Sequence, residues 1–383
     1  MSSTPSISNT FAGGRIVGPH RLQRRQPKEE TAITKRLWIT IIGALAVLWT
    51  VPATAQDAAK LDAARALALY QGADRQQKLV EAAKREGELW VYHAYPKLIT
   101  MMEAFGKKYG IKVKSWRAGS EAILQRVTTE ARGGRFDVDI VQNNAPENEA
   151  AHREKLLQEV RSPYQADLIA QAVPAHREWV GITLDVWTAA YNTDKVRRDE
   201  LPKSYQDLQD PKWKGRLGVE ADDEAWFGTL LTALGEEQGT KLFNNIVAVN
   251  GISARKGHSL LATLVASGEV PLALSVYNWN PEQLKAKGGA PIEGLLIPPV
   301  IAQPSTIAML KRAPHPAAAI LFYDFMLSEG QKMLADNSYV VTSRKLPSPV
   351  ANVALTYIDP AHALDMQDKW LKSFQEIVVR KAR

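Results

Sequence analysis

The chain has 383 residues, of which 45% are hydrophobic and 23% charged, and this composition is ordinary for a globular protein. The formal net charge is +7, but +5 of it lies in residues 1–55 and only +2 in the remainder. The nearly neutral remainder offers no electrostatic case for nucleic-acid binding. Because the sequence has no cysteine, disulfides, thiolate metal sites, cysteine nucleophiles and lipid-modified cysteines are all excluded.

The first 55 residues are typical of an export signal behind a polar extension. Residues 1–34 are rich in Ser, Thr, Gly, Pro and Arg and show no periodicity, which predicts disorder. Lys35 and Arg36 precede an apolar run at residues 37–51, and Ala-Thr-Ala follows at residues 53–55. The run is shorter than the roughly 20 residues that span a bilayer. We therefore predict a signal peptide over residues 35–55, cleaved after Ala55, rather than a membrane anchor.

Residues 88–96 predict the first buried strand and the start of the helix after it. Residues 89–92 are apolar or aromatic in a row, as a strand buried on both faces requires. His93 follows at the carboxyl end of this strand, and Pro96 stands where a helix would begin. Ligands of open α/β sheets bind beyond the carboxyl ends of the strands. We therefore expect this strand end to form one wall of a ligand cleft.

The order of strand, loop and helix occurs twice more, with predicted strands at residues 111–116 and 136–142. This order is typical of a parallel sheet built from βαβ units. The loops that follow parallel strands share one edge of the sheet, so His93, Ser120 and Asn143 are expected to converge. Two further strands are predicted at residues 177–183 and 186–193.

An ordered series of short motifs runs from residue 72 to residue 344. Its members are GADRQQKLVEAAKREG at 72–87, YNT at 191–193, LPKSYQDLQDPKWKG at 201–215, GHS at 257–259, SGE at 267–269, KGGAP at 287–291, APHPAA at 313–318 and FMLSEGQ at 325–331. The series resembles the extracellular solute-binding proteins of ABC importers, in the branch that contains the ferric-ion binders. It covers nearly all of the predicted mature chain.

The resemblance implies a type II periplasmic binding fold, in which two α/β lobes are joined by two hinge crossings and enclose the ligand in a cleft. We expect lobe 1 to comprise residues 56–190 and 303–383, and lobe 2 to comprise residues 191–302. The sequence agrees independently, because the alternation of strands and helices restarts after residue 192. The resemblance also implies a periplasmic monomer that binds no nucleic acid, captures a small solute by hinge closure and delivers it to an inner-membrane permease.

Four candidate ligand-binding residues lie in lobe 1. His93 is either a polar surface residue or a partner for an anion or a metal. Ser120 is predicted to be the N-cap of a helix whose free N–H groups would also favour an anion, whereas Glu121 beside it suits a cation. Asn143 is either a turn residue or an amide ligand of the cleft.

Four more candidates lie in lobe 2. Trp226 either lines the cleft or fills the core. Arg255 belongs to a basic loop before a helix, and its planar guanidinium suits a carboxylate or a phosphonate. Tyr277 and Asn278 follow the strand predicted at residues 271–276. The ferric binders of the resembled branch place two adjacent tyrosines in about this region, whereas here Tyr277 is followed by Asn278.

The solute is therefore predicted to be a small organic anion, an oxyanion or a chelated metal rather than bare Fe³⁺. A ferric importer is the alternative, with His93, Glu121 and Tyr277 as ligands and Fe³⁺ as cargo rather than cofactor. No hydrolase, zinc-protease, P-loop or dinucleotide motif occurs, so we expect no enzyme and no resident cofactor. A transferase or a chemosensory binding protein on the same fold remains the other class.

Overall fold

The computed structural model describes residues 53–379, and describes side chains from residue 58 onward. The predicted extension and the apolar run of the predicted signal peptide lie outside these residues. The first helix begins at Ala53 and includes the predicted cleavage site after Ala55, which stays a prediction. None of the helices within residues 53–379 combines the length and the apolar character needed to cross a membrane.

The described residues form twelve α-helices and twelve strands. The helices are α1 Ala53–Leu69, α2 Arg75–Glu86, α3 Leu98–Tyr109, α4 Ser120–Arg132, α5 Ala145–Arg153, α6 Glu224–Leu234, α7 Glu236–Asn250, α8 His258–Ser267, α9 Trp279–Gly288, α10 Pro316–Leu327, α11 Glu329–Asp336 and α12 Pro360–Phe374. The strands are β1 Glu88–His93, β2 Lys112–Arg117, β3 Ile140–Asn144, β4 Leu157–Gln158, β5 Val180–Asn192, β6 Leu217–Glu220, β7 Ser253–Arg255, β8 Leu272–Tyr277, β9 Ile292–Leu295, β10 Val300–Leu310, β11 Val340–Val341 and β12 Leu355–Tyr357.

Helix α3 shows how the sequence pattern produces this architecture. Its buried residues recur every three or four positions and form one apolar stripe: Leu98, Met101, Met102, Phe105 and Tyr109. Gly110 ends the helix with φ +70°, a left-handed conformation that glycine adopts without a steric penalty. The stripe lies on the sheet, and the chain then turns directly into β2.

The first group of strands is parallel, as the sequence predicts. β1 lies between β2 and β3 and pairs with both in parallel register. β10 joins the free edge of β3 in antiparallel orientation, and β5 pairs antiparallel with β10. The carboxyl ends of β1, β2 and β3 therefore meet at one edge of the sheet, next to the long strands β5 and β10.

Strand β5 connects the first group of strands to a second group. It has 13 residues, all buried, and it pairs with β10 through Val186. From Trp187 onward it pairs instead with β8 and β9, and β8 continues in parallel through β6 to β7. The prediction of two strands in this stretch is wrong, because Leu184 and Asp185 continue the ladder without a break.

The chain returns to the first group between β9 and β10, through residues 296–299. The two crossings therefore lie in the middle of β5 and before β10, while the residue limits of the two lobes stay a prediction. Helix α12, which the sequence analysis assigned to lobe 1, packs against both α5 and α6.

Replacing Gly228 by Ala is expected to lower the free energy of unfolding by about 1–3 kcal/mol, because it overpacks the contact between α6 and α12. A Cβ atom at Gly228 would overlap the buried ring of Trp370. The matched control is Gly288→Ala at the end of α9, where a Cβ atom meets nothing within 4 Å. Urea unfolding of both variants tests this expectation, and equal stabilities would contradict it.

Candidate functional site

A buried group of carboxylates and aromatic rings lies where β5 passes from one group of strands to the other. We call it the acidic–aromatic cluster, and its members are Tyr95, Asp185, Trp187, Glu220, Asp223, His258, Tyr277, Trp279 and Tyr339. Most of them stand at the carboxyl end of a strand, in the loop after it or at the first residue of the next helix. This is the edge at which open α/β sheets bind ligands.

Asp185 is the central carboxylate, and it lies inside β5. Its Oδ1 accepts hydrogen bonds from the Tyr95 hydroxyl at 2.6 Å and from Trp279 Nε1 at 3.1 Å. Its Oδ2 is buried and accepts no hydrogen bond from the described residues. Burial raises the pKa of Asp185 to about 6, against the opposing effect of these two hydrogen bonds.

Asp223 has the same arrangement on the lobe 2 side. Its Oδ1 accepts a hydrogen bond from Trp187 Nε1 at 3.1 Å and lies 3.0 Å from His258 Nε2. Its Oδ2 is buried without a partner among the described residues. Burial lowers the pKa of His258, but the neighbouring carboxylates, Asp223 first, outweigh burial and raise this pKa to about 9.

Glu220 fixes the loops around the cluster. Its Oε1 accepts a hydrogen bond from the Gly257 amide at 2.7 Å, and its Oε2 accepts one from the Asp222 amide at 2.6 Å. Ligand atoms of Glu220, Asp223 and His258 lie within 4.8 Å of one another, close enough to share a metal ion. A metal would compete with donors that already occupy both oxygens of Glu220 and Oδ1 of Asp223.

Two further carboxyl groups extend the acidic region. Burial and the charges of Glu121 and Asp185 raise the pKa of Glu147 to about 7. Burial and the charges of Asp223 and Glu147 raise the pKa of Glu224 to about 7. Glu147 Oε2 is buried and has no hydrogen-bond partner among the described residues. The region is therefore strongly acidic, and His258 is the basic member of the cluster.

The aromatic rings form a continuous band across the junction. Tyr95, after β1, stacks on Tyr339 with ring centroids 4.6 Å apart and meets the edge of Trp279 at 5.8 Å. Tyr277 stacks on His258 at 4.0 Å and lies 5.1 Å from Trp187. Burial and the charges of Asp185 and Asp223 raise the pKa of the Tyr277 phenol well above its usual range. Tyr277 is therefore a neutral phenol here.

The predicted lobe 1 residues lie near one another, but none of them is a member of the cluster. Asn143 Nδ2 donates to the Ser120 carbonyl at 3.1 Å, which confirms that these two loops meet. Gly119 is the N-cap of α4, so the Ser120 hydroxyl does not cap it. His93 is buried, its Nδ1 lies 2.8 Å from the Tyr95 carbonyl, and burial lowers its pKa. Glu121 is exposed at the start of α4.

The four predicted lobe 2 residues do not form one site. Tyr277 belongs to the cluster, and the backbone N–H of Asn278 donates to the Val186 carbonyl at 2.9 Å. Arg255 bonds to the Ala254 carbonyl and to Glu269 at 3.4 Å instead of facing the cluster. Trp226 does not line the cleft.

Trp226 is 1% exposed and packs against Phe227 and Phe243 in the lobe 2 core. This corrects the prediction, because helical periodicity turns Trp226 towards α7 and away from the cleft. Asp185, Trp187 and Trp279 are the main residues that the sequence analysis missed. Asp185 did carry a signal, since a lone carboxylate within a buried strand is costly unless it is hydrogen-bonded.

The fold has two groups of parallel strands that are joined by two crossings, and the acidic–aromatic cluster lies at their junction. This arrangement defines a two-lobed periplasmic binding protein. The chain belongs to the bacterial extracellular solute-binding protein family, whose sequence pattern matches residues 140–366. The resemblance and the fold class predicted from the sequence are therefore confirmed.

The chain is similar to the Fe(3+)-binding periplasmic protein of Serratia marcescens, with 28% identity over 214 residues. That alignment covers 55% of this chain and 62% of the relative. Iron-bound HitA from Pseudomonas aeruginosa has a similar structure, with a TM-score of 0.64, 24% identity, and coverage of 76% of this chain and 99% of HitA. AfuA from Actinobacillus pleuropneumoniae, with fructose-6-phosphate bound, gives a TM-score of 0.67 at 20% identity over 76% and 99% of the two chains. The fold therefore accommodates different ligands.

Proposed function

We propose that this protein is the substrate-binding component of an ABC importer and that it captures a small, positively charged solute at the acidic–aromatic cluster. Asp185 and Asp223 each have a buried oxygen with no partner among the described residues, and these oxygens carry this proposal, because a buried acceptor without a donor is costly and a ligand can supply the donor. The name of the Serratia marcescens relative, an Fe(3+)-binding protein, supports a cationic cargo.

A cation replaces the anionic solute that the sequence analysis preferred. An anion at the cluster would be repelled by the buried carboxylates of Asp185 and Asp223, and the basic member, His258, already lies 3.0 Å from Asp223 Oδ1. Arg255, which was expected to bind that anion, is paired with Glu269. A ferric ion remains the alternative cargo. Of its three predicted ligands, however, only Tyr277 belongs to the cluster, and neither His93 nor Glu121 is hydrogen-bonded to Tyr277 among the described residues.

We propose hinge closure as the capture mechanism. Tyr95 follows β1 on one side of the junction, Trp279 begins α9 on the other, and both donate to Asp185 on the crossing strand β5. Rotation about β5 and the return crossing would open and close this contact. The closed form would then dock on a membrane permease. A periplasmic location after removal of the signal peptide, a monomeric state and the absence of catalysis belong to the same proposal.

Saturating cationic solute is expected to stabilise the mature protein, from residue 56 onward, by about 2.7 kcal/mol at one hundred times the dissociation constant. A thermal-shift screen of amines, metal ions, dicarboxylates and phosphonates checks this expectation. Stabilisation by anions alone would contradict the charge of the proposed ligand. Failure of every class to stabilise the protein would contradict the proposed function itself.

A further inference from the structure

We infer that the acidic–aromatic cluster recognises a protonated primary or secondary amine on a small organic molecule, rather than a bare metal ion. This inference rests on the proposed function, because it names the chemical class of the captured solute. It is carried by the hydrogen bonds and rings around Asp185 and Asp223.

The two carboxylates are held in the same way. Trp279 donates its indole N–H to Oδ1 of Asp185, and Trp187 donates its indole N–H to Oδ1 of Asp223. Each carboxylate is thereby fixed in orientation, with Oδ2 left as a buried acceptor. An ammonium group carries N–H donors that satisfy such acceptors, whereas a quaternary ammonium carries none. The unpartnered oxygens therefore favour a primary or secondary amine.

The aromatic band supplies a second element of cation recognition. Cations are attracted to the faces of tryptophan and tyrosine rings, most strongly when water is excluded. Tyr277 and Trp187 are buried, and their rings stand 5.1 Å apart next to Asp223. A desolvated carboxylate beside aromatic faces binds both the charge of an organic ammonium and the apolar carbon chain attached to it.

His258 shows this mode of recognition within the protein itself. Its imidazole lies flat on the Tyr277 ring, with the two planes 18° apart, while Nε2 meets Asp223 Oδ1 at 3.0 Å. A nitrogen group is thus bound between an aromatic face and a carboxylate. We expect the ammonium of the ligand to repeat this arrangement at the remaining oxygens of Asp223 and Asp185.

A metal ion fits the same residues less well. Glu220 accepts backbone N–H groups at both oxygens, and Asp223 Oδ1 already has two partners. A metal bound to Glu220, Asp223 and His258 could use Oδ2 of Asp223, which has no donor among the described residues, but it would have to share the Glu220 oxygens with backbone N–H groups. The indole N–H groups aimed at the carboxylates also contribute no metal ligand, whereas they preorganise acceptors for an ammonium.

The test is isothermal titration of the mature protein, freed of bound solute by unfolding and refolding, with defined probes. The amines are 1,4-diaminobutane, ethanolamine and spermidine; choline, ferric citrate and Zn²⁺ are the comparison ligands. We expect saturable binding of at least one amine and no binding of choline. Asp223→Asn is expected to weaken amine binding about 100-fold, since it keeps the oxygen that faces Trp187 and removes the charge.

Asp222→Asn is the matched control, because Asp222 is exposed beside Asp223 and pairs with Lys256. It should change amine affinity less than about threefold. Should Asp223→Asn fail to refold, Trp279→Phe removes one donor to Asp185 and is expected to weaken amine binding about tenfold. Binding of ferric ion or zinc without any amine would overturn the inference and leave the proposed function standing. Binding of none of the six probes would overturn both.

Discussion

The ligand-free protein is expected to become less stable as the pH rises from 5 to 9. Burial raises the pKa of Asp185 to about 6 and those of Glu147 and Glu224 to about 7, so the folded state favours their protonated forms. This stabilisation is complete below the pKa of the unfolded chain, near 4, and is lost as the pH passes through 6 and 7. His258, with a pKa of about 9, acts in the same direction.

One pKa unit corresponds to about 1.4 kcal/mol, so Asp185 alone contributes about 3 kcal/mol at most. Because these charges interact with one another, a total loss of about 3–6 kcal/mol is expected between pH 5 and pH 9. Urea unfolding of ligand-free protein at fixed pH values measures this quantity. A protein more stable at pH 8 than at pH 5.5 would contradict the expectation.

Asp185→Asn separates the charge from the hydrogen bonds. The amide oxygen can still accept from Tyr95 and Trp279, while the buried negative charge is removed. The variant is expected to be about 1–3 kcal/mol more stable than the natural protein at pH 8, with a flatter pH profile. Asp336→Asn, which alters an exposed ion pair with Lys332, should leave the profile unchanged.

Of the substitutions, Asp324→Asn is expected to have the largest effect on stability, a loss of about 3–5 kcal/mol in the free energy of unfolding. Arg75 Nε lies 2.8 Å from Asp324 Oδ2, and a second guanidinium nitrogen lies 3.3 Å from Oδ1. The side chains are 6% and 3% exposed. The pair joins α2 to α10, and the substitution leaves a buried guanidinium without its counter-charge.

The surface pair of Lys332 and Asp336 provides the matched comparison, because both side chains are more than half exposed. Asp336→Asn is expected to cost less than about 0.5 kcal/mol. The double replacement of Arg75 and Asp324 by leucine should recover part of the loss, since it leaves no unpaired charge behind. A cost below about 1 kcal/mol for Asp324→Asn in urea unfolding would contradict the expectation.

Much of the fold could be predicted because its signals are local. The apolar run before His93, the glycines after helices and the repeated order of strand and helix are enough to specify a parallel sheet with a ligand-binding edge. The meeting of Asn143 with Ser120 follows from that order alone. Strand β5 was misread as two strands because Asp185 interrupts an apolar run without interrupting the ladder.

The composition of the site could be predicted much less completely. Tyr95, Asp185 and Trp279 are distant in sequence, and only the crossing of β5 brings them together. Arg255 suggested an anion because the sequence does not show that Glu269 pairs with it. Trp226 was a candidate for the cleft wall because the sequence does not show whether an aromatic residue early in a helix faces the cleft or the core. The sign of the ligand charge depends on which carboxylates are buried, and burial is a property of the assembled lobes.

Helix α12 places a mechanical condition on ligand capture. It packs on α5 and α6, with Arg153 of α5 bound to Asp365 and Lys369 close to Glu236 at the start of α7. A change in the angle between the lobes must therefore slide at least one of these two surfaces along the helix. If the slip is against α6, the surroundings of the Trp370 indole, which lies over Gly228 of α6, change with opening and closing, whereas a slip against α5 leaves them unchanged.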